Sequence, residues 1–141
     1  MDTWEAGLFD DDLAADVRAD WESALAGGDT PARATRRLVE DWLDEVAGSV
    51  ALAAAFWIAL AALQLRAGAL ETDVRDRAVR AIGRGEDLAR WDAGAYADAR
   101  DEDDPWDDRD EVAERRHVTT SLRARLVRAP VVDDRPGARR V

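Results

Sequence analysis

The sequence predicts an all-α fold, a single-domain bundle of five to six helices around a central apolar helix at about residues 50–66. Three observations carry that prediction. Apolar residues recur every three or four positions in several separate stretches, the spacing that places them on one helical face. Residues 46–65 run for twenty positions without a charge, in a chain where 36% of residues are charged. Nowhere do apolar and polar residues alternate as a half-buried strand requires.

The first helix follows Asp10-Asp11-Asp12, with Leu13, Val17, Trp21 and Leu25 spaced by four. Acidic residues suit its first turn, where the helix dipole is positive, and Gly27-Gly28 stops it. Thr30 is read as the N-cap of the second helix and Pro31 as its first residue; Ala34, Leu38, Trp42 and Val46 form its inner stripe. Ser49 splits the uncharged run. A Ser hydroxyl accepts an otherwise unpartnered N–H at a helix start, so the third helix begins near Val50.

A bilayer span needs roughly 20 apolar residues, and length alone would allow one. Composition argues for a core helix instead. Eight of the twenty residues are Ala, and both flanks mix Arg with Asp and Glu, so they set no orientation. Leu52, Phe56, Leu60 and Leu63 form one stripe, while Ala51, Ala54, Ala55 and Ala62 let neighbouring helices approach. A helix apolar on nearly every side belongs at the centre of a bundle.

Gly68 is expected to end this helix, and Thr72 to cap a fourth with Val74, Ala78 and Ile82 inward and Gly83 at its end. Residues 87–91 read as a further short helical turn, and residues 98–111 as an acidic connection. A last helix is expected from about Asp108 to Val127, with Val112, Thr119, Leu122 and Leu126 on its apolar face. The organisation is a helical domain over residues 1–128 and a flexible, Arg-rich tail over 129–141, whose apolar content is too low to order it alone.

Composition narrows the function classes. The chain has no Cys, which excludes disulfides and thiolate metal sites. Its first residues show no basic stretch leading into an apolar one, so no signal peptide is expected, and a cytoplasmic location follows. The 31 acidic residues face 20 basic ones, all Arg, for a net charge of −11. A Lys-free chain with 29 Ala fits a GC-rich genome, and the acidic surface also fits high salt. The charge is uneven: residues 1–111 carry 28 acidic and 12 basic side chains, residues 112–141 carry 3 and 8. A body this acidic repels phosphates, so nucleic-acid binding is disfavoured except through the Arg-rich tail.

The opening Thr3-Trp4-Glu5-Ala6-Gly7-Leu8-Phe9-Asp10-Asp11-Asp12 resembles an uncharacterised bacterial family of small helical proteins. Chains of that family begin Met-Gly-x-Trp-Gly-x-Gly-x-Phe-Asp/Glu-Asn/Asp-Asp. Residues 13–20, 56–64, 75–78 and 87–91 are similar to further blocks in the same order, so the resemblance covers about residues 3–128. Asp2 and Glu5 depart from it, standing where Gly is usual. The resemblance implies a soluble chain, and it brings no activity or functional residues.

Candidate chemistry is sparse. Asp10, Asp12 and Asp16, with Asp11, form a weak metal-site candidate, because hard cations take several carboxylate oxygens; N-terminal capping explains the same residues. Residues 101–112 fail as a calcium loop, with Trp106 at position six and Val112 at position twelve. His117 is the single histidine and has no evident acid–base partner; there is no nucleophile elbow and no phosphate-binding Gly-rich loop. Among the six Trp, Trp21, Trp42 and Trp57 read as core and Trp91 as the anchor of the short turn; Trp4, beside Phe9, reads as a pin of the N-terminus onto the bundle and Trp106 as a local packing residue, and both are also candidate partner-binding residues. The leading reading is a small acidic protein-binding module, immunity- or antitoxin-like, whose surface captures a basic protein. No cofactor, catalytic residue or membrane is expected, and no pattern specifies an oligomeric state. The alternative is a metal-dependent hydrolase built on Asp10, Asp12 and Asp16.

Overall fold

The structure, a computed structural model, describes residues 7–9, 11–86 and 108–132. Five helices follow in order: α1 (Asp12–Ala26), α2 (Pro31–Val46), α3 (Val50–Ala67), α4 (Thr72–Arg84) and α5 (Asp108–Arg128). No strand occurs among the described residues. The protein is an all-α bundle around an apolar helix, and α3 is that helix, packed against each of the other four. The short turn expected at residues 87–91 lies outside the described residues.

Burial along α3 explains the arrangement. Ten of its eighteen residues are buried, and the seven from Ile58 to Gln64 are consecutive, so no side of these two turns faces water. Ala54, Ala55, Ala59, Ala61 and Ala62 are all at or below 3% exposure, and the small side chains let α1, α2, α4 and α5 close in. Phe56 and Leu60 are fully buried, each contributing roughly 1.5–3 kcal/mol relative to exposure. By length and mean hydropathy (1.8) α3 would pass as a membrane span. Its enclosure by the other helices marks it as the core helix of the bundle.

The helix ends follow the local chemistry. Thr30 Oγ1 accepts from Arg33 N–H at 3.2 Å, and Pro31 opens α2. Ser49 Oγ accepts from Leu52 N–H at 3.2 Å and starts α3. Gly68 closes α3 in the left-handed region, φ 69°, a conformation Gly adopts without the Cβ penalty. The fourth helix corrects the sequence reading at both ends. Thr72 is its first helical residue and Glu71 its N-cap; it ends at Arg84, with Gly85 rather than Gly83 in the left-handed region.

One buried polar chain ties three elements together. Gln64, 0% exposed in the middle of the core, donates from Nε2 to Thr35 Oγ1 at 2.7 Å, and that hydroxyl donates on to Pro31 O at 2.8 Å. Gln64 Oε1 accepts Glu71 N–H at 3.0 Å. The amide therefore fixes α3 against α2 and captures the backbone where α4 begins.

The outer layer closes on α5. Val118, Leu122 and Leu126 face the core with Thr119 beside them; the side chain of Val112 lies outside the described set. Leu8 is fully buried, and the buried Arg115 donates from Nη1 to Leu8 O at 3.4 Å. A Cβ on Gly7 would meet Val118 Cγ2 at 2.8 Å, so this glycine permits the close approach. Phe9 lies under the Arg18 guanidinium, 5.0 Å from ring centroid to Cζ. Residues 129–132 continue onto the body: Ala129 and Val131 pack against the core, and Val132 N–H donates to Leu70 O at 2.6 Å. The body therefore extends past the boundary read at residue 128; residues 133–141 lie outside the described residues.

Replacing Gln64 by Leu removes the donor to Thr35 and the acceptor of the part-buried Glu71 N–H. Such a loss costs about 1–3 kcal/mol. Urea unfolding of Gln64→Leu is expected to show a lowered midpoint with an unchanged slope.

Candidate functional site

Two features of the surface stand apart from ordinary solvated charge, and they have opposite signs. The first is the C-terminal half of α2. Aligned peptide dipoles make a helix N-terminus positive and its C-terminus negative, so acids stabilise the start and bases the end, by about 0.3–1 kcal/mol each. On α2 the order is inverted: Arg33, Arg36 and Arg37 occupy the first half, and Glu40, Asp41, Asp44 and Glu45 the second. No acid lies in its first turn and no base in its last.

Spacing adds to the cost. Glu40 with Asp44 and Asp41 with Glu45 are like-charge pairs four residues apart, each destabilising by roughly 0.2–0.5 kcal/mol. Arg36 and Arg37 stand four residues before Glu40 and Asp41, the less favourable order. Among the described residues none of the four carboxylates makes an ion pair. Arg37 turns instead to Asp29, at 3.3 Å.

Exposed apolar residues accompany these carboxylates. Leu43, in the last turn of α2, is 48% exposed, and Val50, the first residue of α3, is 68% exposed. Beneath the corner the aromatic side chains are fixed. Trp42 stacks on Phe56 with centroids 6.2 Å apart, and Phe56 meets Trp57 edge-on at 5.2 Å. Trp42 Nε1 donates to Asp20 Oδ2 at 2.9 Å, which holds another carboxylate of α1 beside α2. The end of α2 thus combines four exposed carboxylates with an exposed Leu43, next in sequence to the packed Trp42.

The second feature is a cleft of about 420 Å³ between the end of α4 and one face of α5. Arg84 comes from α4; Arg116, Thr120 and Arg123 come from α5. Their spacing of four and three residues puts the α5 side chains on one stripe. Arg84 reaches Glu86 at 3.5 Å, while Arg116 and Arg123 make no ion pair among the described residues.

Of the metal candidates, only part lies among the described residues. Asp12 and Asp16 are exposed on α1 and Asp11 is buried at its N-cap, while Asp10 lies outside the described residues. No group of three potential metal ligands occurs among the described residues. His117 is exposed on α5. Of the tryptophans, Trp21 is buried and Trp42 and Trp57 are half-buried against the core. Trp4, Trp91 and Trp106 lie outside the described residues, so the two suggested partner-binding positions have no described geometry. Sequence reasoning registered the acidity of the body but missed the inversion on α2, whose signal is the order of charges between Pro31 and Val46. The cleft had no sequence signal, because it exists only where α4 meets α5.

Comparison of the chain with family models, curated proteins and solved structures finds no match.

Two measurements follow from these charges. Asp44→Lys with Glu45→Lys is expected to raise stability by about 1 kcal/mol, since both changes restore the dipole preference; urea denaturation at low salt reads it, and added salt should shrink the gain. Calorimetric titration with Ca²⁺ or Mg²⁺ is expected to give no saturable heat at Asp11, Asp12 and Asp16.

Proposed function

We propose that this chain is a protein-binding module whose partner is a basic protein, captured at the corner between α2 and α3. The observation that supports this reading is the inverted charge order of α2. Four carboxylates without an ion pair among the described residues sit where they weaken their own helix, with exposed Leu43 among them in sequence and exposed Val50 opening the next helix. Folding alone favours the opposite arrangement. A cationic partner reverses the balance, because its charges neutralise the carboxylates while its apolar groups cover Leu43 and Val50.

Such an interface has a familiar anatomy, an apolar centre inside a polar rim. Charge complementarity across it speeds encounter and selects against acidic competitors. The fixed Trp42–Phe56–Trp57 cluster means that little ordering is needed when the partner arrives, which limits the entropic cost of association. An immunity- or antitoxin-like role in the cytoplasm is the concrete form of this reading: a small acidic protein that masks a basic toxin. The resemblance to an uncharacterised bacterial family is compatible with it and adds no activity.

The test is capture from an extract of the native host on the immobilised full chain, beside a Glu40→Gln, Asp41→Asn, Asp44→Gln, Glu45→Gln variant. A basic protein should be retained by the wild type, released by salt and lost on the variant. Leu43→Ala is expected to weaken retention with less effect on its salt dependence. Equal retention on both chains would remove α2 from the interface.

A further inference from the structure

The cleft between α4 and α5 is a local reversal of charge in a chain of net charge −11. Arg84 has a local explanation, since a base in the last turn complements the negative end of α4. Arg116 and Arg123 have none. They lie in the body of α5, away from its end, with no ion pair among the described residues. Three guanidinium groups around one concavity repel one another, and Glu86 offsets only the charge of Arg84.

We propose that this cleft binds a compact phosphorylated ligand carrying two or three phosphate groups. Arginine is suited to phosphate because its planar fork donates two parallel hydrogen bonds and it is only weakly hydrated. The volume of about 420 Å³ lies within the range of small-molecule sites. Along α5, Arg116 and Arg123 are seven residues apart, about 10.5 Å at 1.5 Å per residue. A single phosphate is too small to engage both in extended conformations, whereas a condensed di- or triphosphate spans that distance.

The lining also limits what else the ligand carries. Among the described lining residues there is no aromatic ring and Ile82 is the one large apolar side chain, so a nucleobase finds no stacking partner. Thr119 is buried, and its hydroxyl is within hydrogen-bond reach of Arg115 O and Arg116 O, at 3.1 and 3.2 Å. Thr120 is exposed, and its hydroxyl adds a neutral donor between the two arginines of α5. The chemistry is that of a small polyanion held by charge and hydrogen bonds.

Isothermal titration of the full chain with sodium tripolyphosphate at low ionic strength tests this, with pyrophosphate and inorganic phosphate as shorter probes. Saturable one-to-one binding is expected, tightest for tripolyphosphate and weakest for phosphate. Arg116→Ala with Arg123→Ala should weaken it tenfold or more, as expected for lost charge-assisted hydrogen bonds. Arg84→Gln is an independent variant with the same expected direction. Arg128→Ala, on the same helix but outside the cleft, removes one positive charge, as Arg84→Gln does, and should leave binding unchanged. No saturable heat at about 1 mM ligand, or an equal loss in Arg128→Ala, would overturn the proposal. Tighter binding of a duplex DNA oligomer than of tripolyphosphate would also overturn it, by making the cleft part of a nucleic-acid surface.

Discussion

A helix with no polar side can be shielded from water only if other elements surround it, and α3 imposes this requirement on the whole chain. From Ile58 to Gln64 every residue is buried, so α1, α2, α4 and α5 must each cover a different part of its circumference. Alanine makes the enclosure feasible by letting the backbones approach. The one strongly polar residue inside it, Gln64, has both ends of its amide engaged, as a buried amide must if it is not to cost stability. An apolar residue there would fill space but could not direct where α4 begins. The core therefore combines undirected burial with one directional contact, and that contact sets the angle at which the chain leaves α3.

With the interior committed to packing, the features that packing leaves unexplained are charges on the outside. The acidic α2–α3 corner and the arginine cleft belong to different helix pairs, and each departs from what its own helix prefers electrostatically. On α2 the departure is the position of acids at the negative pole. On α5 it is a stripe of bases facing the base at the end of α4. Both surfaces therefore carry charge that the packing of the bundle does not itself call for, which is the ground on which the two proposals rest.

Much of the architecture was legible in the sequence because it depends on local chemistry. Thr30-Pro31, Ser49 and Gly68 mark helix ends through hydrogen bonds to residues three or four positions away. The misplacements have long-range causes. Thr72 looks like a cap, but Gln64 holds the Glu71 N–H, and the helix begins one residue earlier than a Thr72 cap would place it. Of the two glycines around Arg84, only tertiary structure selects Gly85. Arg115 reads as one charge among several, and its burial follows from a carbonyl 107 residues earlier in the chain. The functional surfaces divide in the same way: the polarity of α2 is present in the order of its letters, whereas the cleft is a product of helix packing.

The contact between Leu8 and α5 has a consequence for how the molecule is made. Leu8 is fully buried, and the seat of its backbone carbonyl is Arg115 of α5, in a hydrogen bond that joins positions 107 residues apart. At ribosomal elongation rates of about 5–20 residues per second, that seat is completed roughly 5–20 s after Leu8 has been added. During that interval the nascent helices α1 to α4 can gather on α3, but the Leu8 carbonyl is without its Arg115 partner. Any packing of α1 to α4 on α3 before α5 is made therefore lacks the contacts that α5 supplies to residues 7 and 8.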